Sequence, residues 1–77
     1  GFIMPENSDF YLCQALEHNI AEEAKARKEY YQLLEMFQME LTSKEKEEIR
    51  EIIAEELKHS DMLAKMIYRR TGIVAED

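Results

Sequence analysis

Leu41-Thr42-Ser43-Lys44-Glu45 is the polar, turn-like stretch in a run that holds neither glycine nor proline from Asp9 until Gly72. Thr42 followed three residues later by Glu45 fits a capping box. In that motif the hydroxyl and the carboxylate each satisfy an orphan backbone N–H at a helix start. A helix therefore begins at about residue 43, and whatever precedes residue 41 is a separate element. The chain reads as two helical arms joined by one short turn.

Outward from the turn, the signals for the far ends are equally local. Pro5-Glu6-Asn7-Ser8-Asp9 is a helix-start signal in which Asn7 or Ser8 can cap, and acidic side chains sit at the positive end of the helix dipole. Arg69 and Arg70 suit the negative end of the second helix, and Gly72 is placed for a left-handed C-cap. The expected organisation is one domain over residues 1–77, with helix one at about 9–40 and helix two at about 43–70. Gly1 to Met4 read as residues added ahead of an authentic start and Ile73 to Asp77 as a frayed tail, and neither is given functional weight.

Two helices of about 30 residues, each roughly 45 Å long, cannot bury their apolar faces against one another alone. The chain has 77 residues. A domain of that size leaves roughly 40% of its unfolded surface exposed. A staple is needed, and Cys13 is the lone cysteine, so no intrachain disulfide supplies it. A net charge of −7 repels phosphate backbones and anionic membranes. Nucleic acid and membrane are thus set aside as partners. No apolar run approaches the roughly 20 residues of a membrane span and no signal peptide is evident, so a soluble, cytoplasmic protein is expected.

The apolar stripe of helix one reads Leu16, Ile20, Tyr30, Leu34, Phe37 and Leu41, in steps of three and four, and Glu23 and Arg27 complete it. Helix two carries Ile49, Ile52, Ile53, Leu63, Met66 and Ile67 on one face, with Glu56 and His59 in the same stripe. Ionisable groups at seam positions must be paired, neutralised or metal-bound to offset several kcal/mol of desolvation. Glu56-Leu57-Lys58-His59 is a Glu-x-x-His step, which puts a carboxylate and an imidazole on one helix face about a turn apart. Folding back at residues 41–45 brings Glu23 to within roughly 5 Å in height of that step.

One chain so offers two carboxylates and one imidazole, too few to enclose metals. Two copies related by a two-fold axis offer twice that set. This is the ligand complement of di-iron and di-manganese carboxylate bundles, in which glutamates bridge two metals and open positions admit oxygen or peroxide. The expected fold class is all-α, an antiparallel two-helix hairpin that dimerises into a four-helix bundle, which the resemblance given below makes ferritin-like. Pairing supplies both the missing core and the missing ligands.

On these residues the chain resembles the ferritin-like superfamily, specifically half of a rubrerythrin-type di-iron domain. Glu23-Ala24-Lys25-Ala26-Arg27 with Tyr30 looks like the first metal helix, and Glu56-Leu57-Lys58-His59 like the second. The resemblance spans about residues 12 to 70. In architecture the chain is similar to encapsulated ferritin, whose single hairpins dimerise to make a ferroxidase site and form rings inside a protein shell. The resemblance implies two iron ions per dimer, with manganese also accommodated, held by Glu23, Glu56 and His59 as metal ligands and catalytic residues. It further implies ferroxidase or peroxide-reducing activity in iron storage or oxidative-stress defence, and a homodimer or larger homo-oligomer within an encapsulating shell or nanocompartment. Rubredoxin-like Cys-x-x-Cys pairs and an evident shell-docking peptide are both absent from the sequence.

Plainer readings stand beside these. Glu23 can pair with Arg27 at i,i+4, and the hairpin would then be a structural dimerisation module without metal. Tyr30 can be core, or by the resemblance its hydroxyl can hold a ligand glutamate. His18 falls off the stripe and reads as surface or pore-lining. Glu22 and Glu55 neighbour the proposed ligands, and a helix rotation of about 100° would exchange them. Cys13 reads as a small core residue, and Met36, Met39, Met62 and Met66 read as packing.

Overall fold

The computed structural model describes residues 7–72, and side chains from Asp9 onward. Helix α1 runs Asn7–Met36 and helix α2 runs Ser43–Thr71, packed antiparallel as a hairpin. The described residues contain helices and a turn and no strand. The expected all-helical hairpin is therefore the architecture of the chain.

The turn is built as its sequence dictates. Thr42 Oγ1 accepts from the Glu45 N–H at 3.0 Å while Glu45 Oε1 accepts from the Thr42 N–H at 2.9 Å. The far end of α2 closes on Gly72, whose φ of 73° is left-handed and whose N–H donates to the Tyr68 carbonyl at 2.7 Å. A residue lacking Cβ adopts that conformation without strain.

The ends of α1 differ from expectation. It begins at Asn7 rather than Asp9, and the residues ahead of it, Gly1 to Glu6, lie outside the described part, as do Ile73 to Asp77. It stops at Met36 rather than near residue 40. Residues 37–40 form a turn in which the Glu40 and Leu41 N–H groups both donate to the Phe37 carbonyl, at 3.1 and 2.9 Å. The i to i+3 bond tightens the chain out of the α-helix while the apolar periodicity runs on through Phe37 and Leu41.

One seam constitutes the core. Among the described residues the buried apolar side chains are Cys13, Leu16, Ile20, Ile53 and Ile67, with Leu63 and Ala64 packed beside them. The four aliphatics contribute about 1.5–3 kcal/mol each. The rest of the expected stripe is wetter: Tyr30, Leu34, Leu41 and Ile49 are half-buried, and Phe37, Ile52 and Met66 are exposed. Met36, Met39 and Met62 are exposed as well, so a single hairpin does not cover them. Two helices create a single line of contact, and apolar residues a further step around each helix have nothing to cover them.

Ionic contacts tie the pole opposite the turn. Arg70 Nη1 lies 2.7 Å from Asp9 Oδ1 across the two helices. No helix among the described residues is long and apolar enough to cross a membrane.

Candidate metal centre

Midway along the seam the apolar packing gives way to Glu23 and Arg27 on α1 and Glu56 and Ser60 on α2. Glu23 and Glu56 are half-buried, whereas their neighbours Glu22 and Glu55 are exposed. The helices are therefore rotated so that the first pair, and not the second, faces the seam.

The two seam glutamates meet each other. The Glu56 carboxyl titrates above the ordinary carboxylate range. The main cause is a hydrogen bond shared with Glu23, followed by burial and by the charge of Glu23; His59 and Arg27 pull in the opposite direction. Two ionised carboxylates are acceptors only, so the pair lacks a donor unless a proton or a cation lies between its oxygens. Glu23 Oε2 is cut off from solvent and has no hydrogen-bond partner. Such an orphan costs about 1–3 kcal/mol, or more for a charged group.

His59 lies on the rim rather than inside, with 52% of its side chain exposed. Position 59 is one step further around α2 than Glu56, so a single hairpin leaves one face of the imidazole open. Its Nδ1 is 3.9 Å from Glu23 Oε2 and its Nε2 is 3.9 Å from Glu55 Oε2. Both separations exceed hydrogen-bond length. The ring thus stands between an inner and an outer carboxylate.

Arg27 reaches across to α2. Its Nη1 donates to Ser60 Oγ at 2.9 Å and lies 3.4 Å from the Glu56 carbonyl oxygen. Ser60 is 2% exposed, the buried polar residue of the site. Sequence reasoning passed over it, although its seven-residue spacing from Ile53 and Ile67 puts it at the centre of the seam. His18 is at the surface, 3.9 Å from Glu22, and takes no part in this cluster.

The donor set suits a hard or borderline cation such as iron or manganese: carboxylate oxygens, one of them orphaned, beside an imidazole nitrogen. Among the described residues, however, no group of three or more His, Cys, Asp or Glu side chains in one chain is gathered closely enough to hold an ion. Tyr30 is half-buried one heptad beyond Glu23, and Cys13 is buried away from the cluster in the apolar part of the seam. Compared with models of known families, with curated proteins and with solved structures, the chain matches none.

Proposed function

We propose that the hairpin is half of a di-iron carboxylate protein, and that two copies join over the face bearing Glu23, Glu56 and His59 to bind two iron ions. The observation that carries this reading is the meeting of Glu23 and Glu56 across the seam, with Glu23 Oε2 shut from water and lacking any donor. Such a pair is satisfied either by a shared proton or by a cation, and carboxylate and imidazole together accommodate iron or manganese.

Exposed residues outline where the second copy lies. Ile52, His59 and Met66 recur every seven residues on α2, next to the row Ile49, Glu56 and Leu63. Leu12 and Leu16 of α1 border one groove with Met66, Arg69 and Arg70 of α2. Covering this face buries Leu12, Ile52 and Met66, exposed by 39, 40 and 36%. The same contact brings a second set of Glu23, Glu56 and His59 to the first. Homodimerisation thereby completes the ligands and extends the core together.

In this assembly Glu23 and Glu56 would hold the ions through carboxylate oxygens and His59 would hold them through a neutral imidazole nitrogen. The apolar rows on either side limit water at the centre. Ferrous iron, when held there, supplies the redox chemistry that reduces oxygen or peroxide. Ferroxidation for iron storage and peroxide reduction in oxidative-stress defence are the two activities this serves, within a larger homo-oligomer or protein shell in the first case.

The test is metal content by mass spectrometry after anaerobic loading with Fe(II), together with the oligomeric mass. About one iron per chain in the unaltered dimer, lost in Glu56→Ala and His59→Ala, is the expected result. A dimer that takes up no iron would overturn the metal reading and leave the hairpin as a dimerisation module.

A further inference from the structure

The Arg27–Ser60 bond is not used by the reading above, yet it lies at the floor of the same site. Glu23 and Arg27 are one turn apart on α1, and Glu56 and Ser60 are one turn apart on α2. Because the helices are antiparallel these steps run in opposite directions, so the Arg27 side chain crosses the seam within a turn of both carboxylates. Ser60 Oγ accepts from Nη1 at 2.9 Å and the Glu56 carbonyl lies at 3.4 Å, both on the segment of α2 that carries Glu56 and His59. Ser60 is buried and Arg27 half-buried, so the contact is held where water screens it poorly.

Arginine keeps its proton at every accessible pH. A lysine or a neutral residue would serve packing as well, and a serine in the centre of an apolar heptad row has no packing advantage over alanine. The pair makes physical sense as an anchor for a permanent positive charge.

We propose that Arg27, anchored on Ser60, is a specificity-determining counter-charge that makes the site formed by Glu23 and Glu56 hold divalent cations and disfavour trivalent ones. This inference rests on the metal reading of those glutamates. Four carboxylates in a paired site attract a higher charge more strongly than a lower one. A fixed positive charge within a turn opposes this in proportion to the charge of the ion, by roughly fivefold to tenfold in affinity per unit charge at dielectrics between protein and water. For an iron-oxidising site the consequence is release of the ferric product while ferrous substrate is still admitted. Arg27 is a positioning and selecting residue in this scheme and is not a ligand.

The experiment measures two dissociation constants on the full chain, for Mn(II) by electron paramagnetic resonance and for Tb(III) by its luminescence. In Arg27→Gln the preference for Tb(III) over Mn(II) should rise by about fivefold or more relative to the unaltered protein. Arg27→Lys, which keeps the charge, should stay within about twofold of the unaltered ratio. If Arg27→Gln does not fold, Ser60→Ala removes the acceptor that Arg27 Nη1 meets at 2.9 Å and should move the ratio in the same direction to a smaller extent, with Ser60→Thr restoring it. Uptake by the unaltered chain with an unmoved ratio in the folded variant overturns this inference alone. No uptake of either ion overturns it together with the reading beneath it.

Discussion

His59 Nδ1 stands 3.9 Å from Glu23 Oε2, a residue of the opposite helix. That gap is too long for a hydrogen bond. Neither group satisfies the other, and Glu23 Oε2 has no alternative partner. The two side chains face one another without a hydrogen bond.

The pH dependence of the metal-free protein follows from the same cluster. Glu56 has its folded-state pKa raised, chiefly by the hydrogen bond shared with Glu23, so the folded state holds its proton more tightly than the unfolded chain. That contribution to stability is complete below the ordinary carboxylate pKa and is lost as pH rises through the shifted value. Thermal melts without metal should therefore fall through this window, and Glu56→Gln should flatten the profile. Divalent cation should restore the lost stability at neutral pH. A metal-free melting curve that rises with pH, dependent on Glu56, is the contrary result.

Core and periphery should respond very differently to truncation. Ile20, 2% exposed at the centre of the seam, should cost about 2–5 kcal/mol on mutation to alanine. Met39, 89% exposed, should change stability by no more than about 0.5 kcal/mol. Chemical denaturation of both variants at equal protein concentration makes the comparison.

The proposed dimerisation can be separated from folding. Ile52→Lys puts a charge into the row that includes His59 and Met66, and should shift the sedimentation mass toward the monomer and lower metal uptake with it. Tyr11→Lys, at a site 66% exposed, should do neither. Equal masses for the two variants would move the contact to another face.

The local signals for the caps predict single-residue costs. Thr42→Ala removes the acceptor for the Glu45 N–H and should cost about 1 kcal/mol. Gly72→Ala meets no atom within 4 Å of its new Cβ, so its cost of roughly 1 kcal/mol is backbone strain at positive φ alone. Each should lower the melting temperature by about 4–8 °C.

The features legible in the sequence were those set by neighbours in the chain. The capping box at Thr42 and Glu45 and the glycine cap at residue 72 are interactions over a few residues, and both are where their sequences put them. The half-burial of Glu23 and Glu56 followed from the period of the apolar stripe, which also separated them from Glu22 and Glu55. The end of α1 was misjudged because Phe37 and Leu41 keep the helical spacing while the backbone has already tightened into a turn. Ser60 was missed because a small polar residue gives no signal of its own, and its role depends on an arginine 33 residues away. The exposure of His59 and of the methionines depends on how many helices surround the seam, which no local pattern encodes.

The Asp9–Arg70 bridge pins the outer ends of both helices together, at the pole remote from Thr42. The described ends of the two helices, Asn7 and Gly72, consequently share one pole, remote from the midpoint of the rod where Glu23 and Glu56 face one another.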